Sequence, residues 1–414
     1  MLIEYDGLQN QRARIKVIGV GGAGGNAIQR MITSNLTDVE FIAINTDAQA
    51  LSVNEAEIKI QIGASRTRGL GAGTDPSIGY HAAVECKERI EDIVRDTDMV
   101  IITAGMGGGT GTGAAPVVAE IAKNSGALTI AFVTKPFIFE GSLRSKQAEQ
   151  GIKRLREHVD SLIVIPNEKI FDIISDDINF VDGFAIADSV LNQGTAGISN
   201  LITKHGLINL DFADVKTIVN RKGDAVIGVG LAGGNDRAIK AVKEAIHSPL
   251  LENNSIRGAK GLLINFTGSE DMKLNEVRNA ASMIFEEAGD KANIVFGALI
   301  DEKLKDSISV TVIATGLNTD DIENIDTDEH KSSESINTDP DYFFDATNSI
   351  PEEPKIKSKD AEEQIAIFDS SKKGACDIQT FGDEYLGDMS AHIDEADEDN
   401  KDTPAYLRNF FARK

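Results

Sequence analysis

The chain is 414 residues long, 41% hydrophobic, free of Trp, and carries a formal net charge of −24. That length holds two domains of ordinary size plus an extension, and the acidity is localised: residues 1–316 carry a net −8, residues 317–402 a net −19, and the last twelve residues +3. Nothing resembles the basic face that nucleic-acid binding requires; Cys86 and Cys376 give neither metal spacing nor a disulfide framework; and no run of about 18 apolar residues predicts a membrane span.

Residues 1–11 read as a flexible N-terminus without secretory or transit character, and the two cysteines fit a reducing cytoplasm. Residues 15–20 (IKVIGV) form a β-branched run ending in Gly, and a helical stretch follows from about Asn26 to Ser34. Strands are predicted at 39–44 and 58–62, then a helix over 77–95 with Ile78, Ala82, Cys86, Ile90 and Ile93 on one side. A strand at 98–103 enters a second glycine loop, and a helix covers 114–124. Strands at 127–133 and 161–165 flank a helix at 145–158. Strands alternating with helices predict an α/β fold with a parallel, doubly wound sheet over residues 12–179.

One long helix without Pro follows, assigned to 180–206, and a smaller α/β unit occupies 207–316. Its strands are expected at 225–230, 260–266, 293–299 and 308–314, with helices at 235–246 and 273–288. From residue 317 to 401 periodicity stops, and Asp, Glu, Ser, Asn and Lys dominate. Such a segment cannot bury enough apolar surface to offset the entropy of ordering, so a disordered acidic linker is expected. Residues 402–414 turn apolar and basic again.

Two glycine-rich turns carry the chemistry. Gly19-Val20-Gly21-Gly22-Ala23-Gly24-Gly25-Asn26 follows a strand and opens a helix, and it satisfies GxGxxG. It reads either as a tight strand-to-helix turn or as a phosphate cradle, in which backbone N–H groups and a helix N-terminus meet negative charge. The second, Gly105 to Gly113, places six glycines in nine residues, too costly in conformational entropy for a casual turn. Thr110 and Thr112 add hydroxyl donors for phosphate oxygens. A dinucleotide oxidoreductase would use the first loop, with Asp47 on the ribose, but leaves the second loop unexplained. The pattern GxxxxGK[ST] is absent, which excludes a P-loop NTPase.

The stretch Gly107-Gly108-Gly109-Thr110-Gly111-Thr112-Gly113 resembles the signature loop of the tubulin/FtsZ family of GTPases. The similarity extends through Ile18 to Asn26, Asn45 to Leu51, Pro136 to Gly141, Ile165 to Asn167 and Asn209 to Asp214, covering roughly residues 12–316, and it resumes at 402–408. The resemblance implies that 12–179 is a GTP-binding domain and 207–316 a GTPase-activating contact domain. It implies that Gly21, Gly22 and Asn26 lie near phosphate and sugar, and that Gly107, Gly108, Gly109, Thr110 and Gly111 cradle the β- and γ-phosphates. Glu140 and Arg144 would meet the ribose, Asn167 and Asp188 the guanine, and Phe184 would stack on the base. Many relatives have Asn at Asp188; a carboxylate accepting from guanine N1–H and the 2-amino group is chemically sound. The implied cofactors are GTP/GDP and Mg²⁺, the metal held mainly by the nucleotide phosphates.

Asp211 and Asp214 stand three apart at a helix start, so both carboxylates point one way. Locally this reads as helix capping by Asn209 or Asp211. The resemblance assigns the guanine to Phe184 and Asp188, and the helix then carries the chain about 20 residues further, ~30 Å at ~1.5 Å each. Asp211, Asp214 and Asn209 would therefore complete the GTPase site of the next subunit in a head-to-tail filament. The family further implies a cytoplasmic, ring-forming role at midcell in bacterial division. The peptide Asp402 to Arg408 would dock on membrane-anchoring and regulatory division proteins, with membrane contact indirect and no nucleic acid involved.

Overall fold

The central strands of this chain are apolar along nearly their whole length, as strands covered on both faces must be. In the segment Met99–Gly105 every side chain from Met99 to Ala104 is fully buried. A computed structural model describes residues 13–172, 179–204, 206–208, 211–220, 224–248, 256–289 and 292–317. The first half runs β1 (Ile15–Val20), α1 (Gly21–Thr33), β2 (Glu40–Asn45), α2 (Ala48–Ser52), β3 (Ile58–Gln61), α3 (Ala64–Thr67), α4 (Pro76–Glu85), α5 (Lys87–Val94), β4 (Met99–Gly105), α6 (Gly109–Asn124), β5 (Leu128–Lys135), α7 (Ser142–His158) and β6 (Ser161–Pro166). The long helix α8 (Phe180–Thr203) follows. The second half is α9 (Phe212–Val219), β7 (Asp224–Gly233), α10 (Arg237–Ile246), β8 (Gly261–Gly268), α11 (Leu274–Ala288), β9 (Asn293–Ile300) and β10 (Ser307–Leu317).

The strands form one sheet in the order β3-β2-β1-β4-β5-β6-β7-β10-β8-β9. The first six are parallel and reverse direction of travel between β1 and β4, the doubly wound arrangement expected from the alternating pattern. Alternate residues of β1 serve opposite layers. Ile18 and Val20 join a core with α4 to α7, whereas Ile15 and Val17 join one with α1, α8 and α9. A third core packs α10 and α11 on β7, β8 and β10.

The two halves are less separate than the sequence suggests. Strands β6 and β7 pair through Leu162 with Asp224 and Ile163 with Ala225, which makes the sheet continuous across the seam. Helix α8 spans the same boundary. A Cβ added to Gly194 would sit 2.6 Å from the ring of Phe132 on β5, and one on Gly197 would sit 2.9 Å from Thr311 on β10. Glycine at both positions lets the helix lie directly on the sheet.

Some boundaries differ from expectation. The helix expected over 77–95 breaks at Cys86 into α4 and α5. Helices α1 and α6 start five residues earlier than expected, at Gly21 and Gly109, inside the glycine turns. Low glycine propensity hides both starts, and tertiary packing overrides it. The short helices α2 and α3 have too few residues to show periodicity. Residues 1–12 and 318–414, including the linker, Cys376 and the terminal peptide, lie outside the described residues.

The fit of α8 onto β5 is open to a direct test. Gly194→Ala should lower unfolding free energy by about 1–3 kcal/mol in a urea titration, because Phe132 is fully buried and cannot yield. Gly183→Ala, near the start of the same helix and facing open space, should raise it by about 0.5–1 kcal/mol. Equal effects from the two would remove the close-packing argument.

Candidate functional site

A doubly wound sheet leaves a crevice at the carboxyl ends of its strands where the order reverses. Here that point lies between β1 and β4, and both glycine turns leave the sheet there. Neither α1 nor α6 has a side-chain cap, and neither carries an acid in its first turn. Apart from the Gly109 N–H, which the Gly73 carbonyl accepts, their first N–H groups remain for a ligand, and both helix dipoles favour an anion between them.

The turns interlock because they lack side chains. Gly21 has a positive φ of 77°, and a Cβ there would stand 2.9 Å from the backbone nitrogen of Gly111. A Cβ on Gly111 would stand 2.5 Å from the carbonyl of Gly105. A Cβ on Gly24 would collide with the carbonyl of Thr103. Gly22 and Gly108, by contrast, face open space. The close packing thus presents two bare peptide segments toward one volume. Asn26 lines a cleft beside them with Gly21, Gly22 and Asn45.

Two hydroxyls divide their duties differently from expectation. Thr110 Oγ1 lies 2.7 Å from Thr46 Oγ1 at the end of β2, so it stands at the cradle. Thr112 was expected to offer a phosphate donor. It is instead buried and accepts the Gly107 N–H at 2.8 Å, holding the turn from inside. The third wall comes from the Gly71 to Gly73 loop, where Gly73 accepts the Gly109 N–H at 3.0 Å. Asp47 accepts from the N–H groups of Gln49 and Ala50 and caps α2. Its Oδ1 serves that helix.

The remaining expected contacts come from the segment after β5, the end of β6 and the first turns of α8. Glu140 accepts from Phe137 N–H at 3.0 Å and from Arg144 Nη1 at 2.6 Å. The backbone of Arg144 packs against Gly107, whose φ is 104°. Asn167, at the end of β6, is buried, and its Oδ1 has no hydrogen-bond partner among the described residues. A buried acceptor of that kind is costly unless a ligand donor meets it. Phe184 on α8 is partly exposed and makes an edge contact with Phe137 at 5.1 Å; Phe139 stacks on Phe137 at 4.9 Å. Asp188, one turn beyond Phe184, pairs with Arg30 Nε at 3.1 Å. Burial pushes the Asp188 carboxyl above the ordinary carboxylate range, against the hydrogen bond and charge of Arg30. Arg30 and Thr46 escaped the sequence reading. The spacing of Arg30 from Asn26, one helical turn, was the available signal for the first.

Asp211 and Asp214 are not in this crevice. Both are exposed and lie beyond the far end of α8, where Leu207 and Ile208 donate to the carbonyl of Ala298 on β9. From Asp188 to Thr203 alone, α8 rises about 22 Å at ~1.5 Å per residue. Asp211 occupies the N-cap position of α9 but makes no side-chain cap bond, so its carboxylate is not engaged by the helix it precedes. Asn209 lies outside the described residues. Among the described residues no group of three or more His, Cys, Asp or Glu could hold a metal ion. No helix among them is long and apolar enough to cross a membrane.

Residues 14–175 match the GTPase domain of the Tubulin/FtsZ family, and residues 223–318 match the C-terminal domain of the FtsZ family. Among solved structures the chain is similar to an empty FtsZ dimer from M. jannaschii, with 48% identity and a TM-score of 0.72 over 75% of this chain and 90% of that one. A point mutant of FtsZ from the same organism matches at 47% identity and a TM-score of 0.72, over 75% of this chain and 93% of that one. A GTPgS-bound protofilament of CetZ2 from Haloferax volcanii shares the fold, at 18% identity and a TM-score of 0.63 over 76% of this chain and 99% of that one.

The interlocked turns predict a contrast among glycines. Gly111→Ala should lower thermal stability by about 1–3 kcal/mol, since its Cβ meets backbone that has no room to move. Gly22→Ala and Gly108→Ala, which point into open space, should cost none. Differential scanning calorimetry of the three variants checks this, and a uniform loss would show that the turns do not depend on close approach.

Proposed function

Because this chain belongs to the tubulin/FtsZ family and is a GTPase, we propose that it polymerises head to tail and hydrolyses GTP at each contact between subunits. The observation that carries this reading is the separation along α8. The residues suited to guanine stand near its start, and two exposed carboxylates stand beyond its end.

On this reading the N–H groups of Gly21, Gly22, Gly108, Thr110 and Gly111, with the Thr110 hydroxyl, bind the phosphates between two helix ends without side-chain caps, while Gly107 and Gly109 line the cradle with their own N–H groups held by Thr112 and Gly73. Asn26, Glu140 and Arg144 meet the ribose side, and Phe184 covers the base. Asn167 Oδ1 accepts a guanine donor, which satisfies an otherwise unpaired buried atom. Asp188 accepts from N1–H and the 2-amino group. A Mg²⁺ would be held mainly by oxygens of the nucleotide phosphates. When bound, the metal neutralises charge that develops on those oxygens.

Asp211 and Asp214 of the adjoining subunit orient a water by accepting its hydrogens, with Asn209 holding their loop. The water oxygen forms the new bond to the γ-phosphorus, the bond to the β–γ bridging oxygen breaks, and GDP and inorganic phosphate result. Apolar surface supports the contact. Leu70, Ile138 and Leu143 are exposed around the nucleotide crevice, and Leu207 and Leu274 are exposed at the opposite end. Joining two different patches of one molecule repeats without closing and makes a filament. FtsZ has been seen as a dimer and CetZ2 as a protofilament, which supports a homopolymer here.

The same reading divides the chain into a GTP-binding domain (12–179), central helix (180–206), contact domain (207–316), acidic linker (317–401) and terminal peptide (402–414). The filament serves as the cytoplasmic cytokinetic ring at midcell. Asp402 to Arg408, on a tether whose composition disfavours folding, captures membrane-anchoring and regulatory division proteins, so membrane contact is indirect.

Mixing two disabled variants tests the shared site. Asp214→Ala should bind GTP yet barely release phosphate, and Gly108→Glu should fail to bind it. An equimolar mixture should recover about a quarter of wild-type turnover, the fraction of contacts joining two intact halves under random head-to-tail assembly. Turnover per subunit should also rise above a threshold concentration; inactivity of the mixture and a flat profile together would point to a self-contained site. A chain ending at residue 400 should keep that turnover but lose recruitment to the division ring in cells. Normal recruitment would remove the role given to the terminal peptide.

A further inference from the structure

Guanine is told from other bases by its donors, N1–H and the 2-amino group, and an ionised carboxylate is an acceptor-only partner for both. A protonated carboxyl carries a donor of its own and meets guanine poorly. The base end of the crevice holds its carboxylate, Asp188, in a setting where only 15% of the side chain is exposed. Burial there works against the anion. The opposing charge comes from Arg30, whose Nε lies 3.1 Å from Asp188 Oδ2. Other charged groups nearby have different partners: Glu140 holds Arg144, Glu168 accepts the Ile138 N–H, and Lys169 pairs with Asp172.

The placement of Arg30 matters as much as its charge. It sits on α1, one turn beyond Asn26, on the helix whose uncapped start faces the phosphate cradle. Asp188 comes from α8, 158 residues later in the chain. A second contact between the two helices, Ser34 Oγ to Asn192 Oδ1 at 3.3 Å, lies one turn further along both. The phosphate-binding helix is thereby fastened to the carboxylate that faces the base.

We propose that Arg30 is a positioning residue for base selection, turning the acceptor face of Asp188 toward the guanine N1–H and 2-amino group. This role rests on the reading of Asp188 as the guanine contact. Arg30 acts through Asp188. One oxygen bonded from the side by Arg30 keeps a lone pair for the base, and the other oxygen stays clear. Arg30 is itself over a third exposed, on a helix surface, so substitution there leaves the core intact.

The test compares affinity for GDP with that for inosine diphosphate, which lacks the 2-amino group, using the full-length chain diluted below its polymerisation threshold. Isothermal titration gives both constants, and circular dichroism verifies folding. Arg30→Gln should lower GDP affinity by about tenfold, the weight of one charge-assisted hydrogen bond, and should narrow the GDP-to-inosine-diphosphate ratio. Arg30→Met should behave alike, and Arg30→Lys, which keeps the charge, should restore most of the ratio. An equal loss for both nucleotides, or a wild-type ratio in the Gln and Met variants, would overturn the proposal. Asp188→Ala serves as the separate check on the underlying reading, since a methyl side chain removes the acceptor that guanine needs. If Asp188→Ala leaves the ratio unchanged, the guanine contact itself is misassigned. If it collapses the ratio while Arg30→Gln does not, the contact stands and the role of Arg30 falls.

Discussion

Everything in this molecule follows from how closely two peptide segments can approach when neither has a side chain. Gly21 rests against Gly111, and Gly111 against Gly105, at distances a single methyl group would forbid. That contact sets the ends of α1 and α6 beside one another at the reversal point of the sheet. It also keeps both ends uncapped, so that unsatisfied N–H groups converge on one volume. The sheet beneath supplies rigidity. Its central strands β4 and β5 are buried on both faces and cannot shift register without exposing a full row of apolar side chains.

Helix α8 then distributes the remaining chemistry. Its first turns carry Phe184 and Asp188 to the crevice, and its last lead to the Ile208 bridge with Ala298 on β9. The exposed carboxylates just beyond belong to a different surface from the crevice. On the proposed function each chain holds two incomplete halves of a reaction centre, so that assembly and hydrolysis go together.

Much of this was legible in the residues. Strands buried on both faces read as continuous β-branched runs, and β1, β4 and β5 lie where such runs occur. The glycine turns were visible as composition, and the order of strands and helices gave the doubly wound sheet. What escaped had local reasons. Glycine propensity concealed the starts of α1 and α6. Thr112 looked like a ligand donor, but a hydroxyl in a glycine turn can as readily brace the turn from within, and only the position of Gly107 decides which. The link between Arg30 and Asp188 joins positions 158 apart and leaves no local pattern. The seam between β6 and β7 rests on two residue pairs, too short for any strand signal to announce it.

That seam has a mechanical consequence. With two registered pairs between β6 and β7, the backbone ladder contributes little resistance where the halves meet. The stiff member across the junction is α8, seated on β5 through Gly194 and on β10 through Gly197. In a filament, tension or compression passing from the crevice of one subunit toward its opposite end would travel along this helix. The molecule would respond as two rigid plates joined by a strut, with bending concentrated at the seam.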